Sequence, residues 1–131
     1  MKKKHDGQKL SDSLSEICKL LDSAPKDYAW NMEQATEMDR LTQDYLHKLE
    51  LDGLKYEERA KVATKIAKCR QQRRVYKDAA QILEPLARYL SGDKGRQTYN
   101  MMREILGQTR KIEEHMTTRV YYPRVLGKGN P

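Results

Sequence analysis

A chain of 131 residues with 26 Lys and Arg, 19 Asp and Glu, no Phe, one Trp and eight Tyr has room for one domain with a modest core. Its hydrophobic share is 37%, so that core must be Leu, Ile, Met and Ala with amphipathic Tyr at its margins, thin enough for oligomerisation to help it. The net charge of +7 favours anionic partners: nucleic acid, nucleotides or an acidic protein face. No apolar run is long enough to span a bilayer or to follow the N-terminal lysines as a signal sequence would, and the expectation is a cytoplasmic protein without membrane partners.

The first nine residues, with Lys2, Lys3 and Lys4, read as a disordered basic terminus. Leu10, Leu14, Ile17, Cys18 and Leu21 then recur at helical spacing, and Ser13 with Glu16 forms a possible capping box, which predicts a first helix over roughly residues 11 to 23. Ser23-Ala24-Pro25-Lys26-Asp27 is expected to break it, because proline lacks a backbone N–H and excludes the helical conformation from the residue before it. From about Tyr28 a second helix carries Met38, Leu41, Tyr45 and Leu49 on one face, with Glu33, Glu37, Asp39, Arg40 and Asp44 mostly outside it, and ends near Asp52-Gly53.

The third helix starts near Tyr56 and lines up Val62, Ile66, Cys69, Arg73, Tyr76, Ala80, Leu83, Ala87 and Leu90 on one stripe. At 100° per residue, Val75, Ala79, Ile82 and Leu86 fall on its opposite face, so its second half is apolar on two sides and the helix is central. Either other helices sandwich it or the same helix of a second subunit covers one face; the second arrangement is preferred, and a homodimer is expected. Pro85 is expected to kink or restart it.

Ser91 to Gly95 reads as a loop, followed by a fourth helix with Met102, Ile105, Leu106, Thr109, Ile112 and Met116 that stops near Thr117-Thr118. Residues 119 to 131 read as an extended tail, β-branched and aromatic residues with a proline suiting an edge segment. No internal repeat, heptad pattern of coiled-coil length or low-complexity tract is legible. The predicted fold class is all-α: one domain, an antiparallel helical bundle around a long central helix with a short C-terminal extended segment.

No GxSxG, P-loop, HExxH, paired CxxC or GxGxxG occurs, and His5, His47 and His115 lie in different segments. Glu113-Glu114-His115 is best read as a solvated helix face, since adjacent helical residues diverge. Cys18 and Cys69 sit on apolar stripes, as buried thiols do. The reading is a non-enzymatic protein without cofactor or metal. Trp30, beside Tyr28, suits a staple onto the core better than a stacking platform.

The arginines stand apart. Arg70, Arg73, Arg74 and Lys77 cluster within two helical turns without a matching run of acids, a concentrated anion-binding surface. Arg73 lies in the apolar stripe, where an unpartnered guanidinium would cost several kcal/mol; a carboxylate of the second helix or a ligand must neutralise it. In the tail, Arg119, Tyr121, Tyr122 and Arg124 alternate guanidinium and aromatic groups, the pair of side-chain types that clamps phosphates and stacks purines; an edge segment with solvated arginines weighs equally.

"QQRRVYKD" in a long helix, Tyr99-Asn100 opening a later one and a C-terminal "RVYYPRVL" together resemble the phage Thoeris anti-defence proteins of the first type, over roughly residues 56 to 126. The resemblance implies a homodimer or larger homo-oligomer built on a central antiparallel helix pair, which sequesters a cyclic ADP-ribose isomer, a nucleotide immune signal, without cleaving it. It implies a helix arginine at Arg73 or Arg74, adenine contacts from Tyr99 and Asn100, and a phosphate-contacting pair in Arg119 and Arg124; Lys77, Arg103 and Tyr121 beside them complete the candidate ligand-binding set. Tyr99 and Asn100 are adjacent here, closer than the family's aromatic and amide. Two other readings stand beside it: a basic helical nucleic-acid-binding protein, for which the charge suffices, and a helical inhibitor or adaptor that grips a protein through the second face of the central helix.

Overall fold

The computed structural model describes residues 9–120, Pro123 and Val125, and within them the chain is all-helical. Three helices follow one another: α1 over Leu10–Leu51, α2 over Tyr56–Ser91 and α3 over Asp93–Thr118. At 1.5 Å per residue α1 is about 63 Å long and α2 about 54 Å. They form an antiparallel hairpin, fixed by cross-helix contacts that pair Trp30 with Tyr76, Asp39 with Arg70 and Tyr45 with Lys65.

The turn between them is short because its chemistry suits it. The Asp52 N–H donates to the Lys48 carbonyl at 3.1 Å, and Gly53 follows at φ +55°, the left-handed conformation glycine adopts without a Cβ penalty. Glu58 then accepts from the backbone N–H of Lys55 at 3.3 Å and opens α2. At the start of α1 the carboxylate in that role is Asp12, accepting from Lys9 N–H, not the expected Ser13 and Glu16 pair.

Two of the expected helices are one. Pro25 lies inside α1, although it removes one backbone hydrogen bond. The seam facing α2 runs on both sides of it: Cys18 is buried before it, Ala35 and Thr42 after it. Continuing the helix keeps both halves on one partner, and burial along that seam outweighs the lost bond. Pro85 is likewise inside α2, which runs unbroken to Ser91.

The expected stripe of α2 is its inner face, with Val62, Cys69, Ala80, Ala87 and Leu90 buried and Ile66, Arg73, Tyr76 and Leu83 half-buried. Its members alternate four and three residues apart, and so do Ser11, Leu14, Cys18, Leu21, Pro25, Tyr28, Met32, Ala35, Asp39 and Thr42 of α1, all buried or half-buried. This seven-residue repeat is the spacing of helices packed at a shallow angle; the heptad reading missing from the sequence is present, hidden by Ser, Pro, Asp and Thr at seam positions. The deepest positions are alanines: Ala24, Ala35, Ala80 and Ala87 are at most 4% exposed, so small side chains set the closeness of the pair.

The expected loop over Ser91 to Gly95 shrinks to a break at Gly92, and α3 starts at Asp93. Its contact with α1 includes a hydrogen bond from the Ser11 N–H to Glu113 Oε2 at 3.2 Å. One stripe of α3 turns inward: Gly95 and Leu106 are buried, and Thr98, Met102, Thr109 and Glu113 half-buried. Both cysteines are free, buried thiols, and among the described residues no helix is long and apolar enough to cross a membrane. Arg119, just past α3, is extended at φ −69° and ψ 149°; the basic terminus over residues 1–8, and Tyr121, Tyr122 and Arg124 of the tail, lie outside the described residues.

Candidate functional site

The inward arginine of α2 has its partner. Arg73 Nε lies 2.7 Å from Asp39 Oδ1, and Arg70 Nη1 reaches the same oxygen at 3.3 Å. Asp39 is half-buried at a seam position of α1, not outside the packed face as its polarity suggests. The Arg73 Nε–H is misaligned with the carboxylate oxygen and makes no proper hydrogen bond, so the contact is an ion pair held by charge. One carboxylate thus serves two guanidinium groups.

That pair should carry stability. With the Arg73 side chain 30% exposed, Asp39→Ala is expected to cost about 1 to 2 kcal/mol, below the 3 to 5 of a fully buried broken pair. The double change Asp39→Leu with Arg73→Met should recover most of the loss, and urea melts of the two single variants and the double variant measure the coupling.

The other basic residues of the cluster are left over. Arg74 is exposed and Lys77 half-buried, and neither has a carboxylate within ion-pair distance among the described residues. Lys77 lines a shallow groove of about 350 Å³ along the α1–α2 seam with Tyr28, Met32, Ala80, Gln81 and Glu84. Trp30 packs edge-on against Tyr76, centroids 5.6 Å apart, as a staple does, while half its surface stays exposed.

On α3, the Arg103 guanidinium sits over the Tyr99 ring at 5.7 Å, a cation–π contact, and Asn100 beside it is exposed. The two groups do not meet within one chain. Tyr89 Oη and Thr98 Oγ1 are 2.7 Å apart, which ties Tyr99 to the end of α2, and twelve residues of helix separate Tyr89 from Lys77, about 18 Å. Arg119, exposed at the far end of α3, is twenty residues beyond Tyr99, about 30 Å. Tyr121 and Arg124 lie outside the described residues.

Comparison of the chain with protein-family models, with curated proteins and with solved structures finds no match.

The surface that sequence reasoning underrated is apolar. Val75 is 56% and Ile82 80% exposed on the outer face of α2, where Ala79 and Leu86 are half-buried. α3 does not cover this face, so the helix that reads as two-sided in sequence is one-sided in packing. Lys61, Lys68, Val75, Ile82 and Tyr89 recur every seven residues along it, basic in the first half and apolar in the second.

Proposed function

We propose that the protein is a non-enzymatic helical binding protein that docks through the outer face of α2 onto another protein, at an apolar surface edged with carboxylates. The observation that carries this reading is the exposure of Ile82 and Val75 one heptad apart on the outer face of α2, since an apolar helical stripe in water is what a helix lays into a partner's groove. Lys61 and Lys68 continue the same stripe, and the net charge of +7 favours an acidic rim.

Capture of a cyclic ADP-ribose-type nucleotide by a homo-oligomer is the second reading. Its support is the pairing of Arg103 with Tyr99 and the lack of an ion pair at Arg74 and Lys77 among the described residues. A recess joining these groups would have to form between copies, because about 18 Å of α2 separates them in one.

Titration calorimetry against cyclic ADP-ribose isomers and a short DNA duplex, beside affinity capture with wild type and Ile82→Asp, separates the readings. Silence with both probes, together with a captured acidic partner that Ile82→Asp releases and Arg119→Ala retains, is the expected result. Isomer-selective nucleotide binding would replace docking by capture, and duplex binding that falls steeply with salt would replace it by a nucleic-acid role.

A further inference from the structure

The flank of α3 beside its inward stripe carries a second, exposed stripe, and its order is self-complementary. Met101, Ile105, Ile112 and Met116 are each between 38% and 58% exposed. They are spaced four, seven and four residues apart, so they share one face of the helix. Their sequence is a mirror image about the midpoint between Gln108 and Thr109: methionine opposite methionine, isoleucine opposite isoleucine. Glu104 and Lys111 lie together on one flank of the stripe.

We propose that α3 pairs antiparallel with α3 of a second copy, about a two-fold axis passing between Gln108 and Thr109. A two-fold interface uses one patch twice, so residue i meets j and j meets i. In this arrangement Met101 faces the other copy's Met116, Ile105 faces its Ile112, and the reciprocal contacts repeat across the axis. Glu104 then lies within two residues, about 3 Å along the axis, of the position opposite Lys111, and the opposite charges meet twice.

The bond from Ser11 to Glu113 sets the exposed Leu10 of α1 beside the C-terminal end of α3. With Leu10 the stripe presents roughly 500 Å², the scale of a small interface. The whole stripe on the outer face of α2 is not symmetric: about its midpoint at Val75, Lys68 would face the other copy's Ile82 and Lys61 its Tyr89. The proposal concerns a different face from the docking surface of α2 and stands or falls separately from it.

Light scattering coupled to size exclusion tests it on the whole chain. Wild type is expected at twice 15.4 kDa, and Ile112→Asp at the single mass with unchanged helical circular dichroism, while Ile82→Asp keeps the doubled mass. Glu104→Lys should weaken association by about fivefold, and Glu104→Lys with Lys111→Glu should restore it. Should Ile112→Asp unfold, Gln108→Cys under mild oxidation provides the second readout: next to the axis it should link two chains covalently, the native cysteines being buried. A monomeric wild type, a folded Ile112→Asp that still doubles, or no cross-link through residue 108 overturns the proposal.

Discussion

Gly95→Ala is expected to destabilise the fold by about 3 kcal/mol, although alanine is the better helix former by about 1 kcal/mol. Gly95 sits in the first turn of α3, and a Cβ there would lie within 2.6 Å of the Tyr89 carbonyl carbon and equally close to Leu90 Cα. Both obstacles are backbone, so no side chain can swing aside; either the break at Gly92 opens or α3 lifts from the end of the hairpin. Gly107 is the control, also inside α3 but with open space where a Cβ would stand. Gly107→Ala should therefore gain about 0.5 to 1 kcal/mol. Urea melts followed by circular dichroism at equal protein concentration should show the midpoint falling for one glycine and rising for the other.

Ala24→Leu is the second large effect, a loss of about 3 kcal/mol at the upper end of overpacking costs. Ala24 is fully buried, one position before the seam residue Pro25, and its methyl group fills a place in α1 with no open side. Three added carbons must push the helices apart or force strained rotamers, and the displacement would be shared along a seam whose neighbouring contacts depend on the same spacing. The same size of change at exposed Ala63 of α2 is expected to stay within about 0.5 kcal/mol. Differential scanning calorimetry should show a fall in Tm on the order of 10 °C for Ala24→Leu and little change for the other.

The all-α class and the inner face of α2 were legible in the sequence, because helical periodicity is a local property of apolar side chains. From Val62 to Leu90 the stripe predicted from spacing is the stripe that packs. The second apolar face of α2 was legible for the same reason, but its exposure was not, since that depends on where α3 goes after Gly92. The anion-binding expectation was legible as a cluster of Arg70, Arg73, Arg74 and Lys77, yet its charge balance was not: the carboxylate that neutralises Arg73 is Asp39, on another helix and thirty-four positions earlier.

Tertiary structure also decided the continuity of α1. A proline after Ser23 and Ala24 carries a local signal to stop, and a local reading has nothing to set against it; packing of α1 on α2 on both sides of Pro25 does. The shared heptad seam was obscured in α1 by Ser11, Pro25, Asp39 and Thr42, residues whose polarity or ring argues for a surface or a turn until a facing helix places them inside. Gly95 shows the same division: the sequence records a glycine where a loop is expected, and only the arrival of α3 against the Tyr89 and Leu90 backbone makes it a packing requirement. Local periodicity thus determined which residues are helical and which face is apolar, while helix pairing determined breaks, partners and exposure, because those depend on contact energies between residues that are distant in the chain.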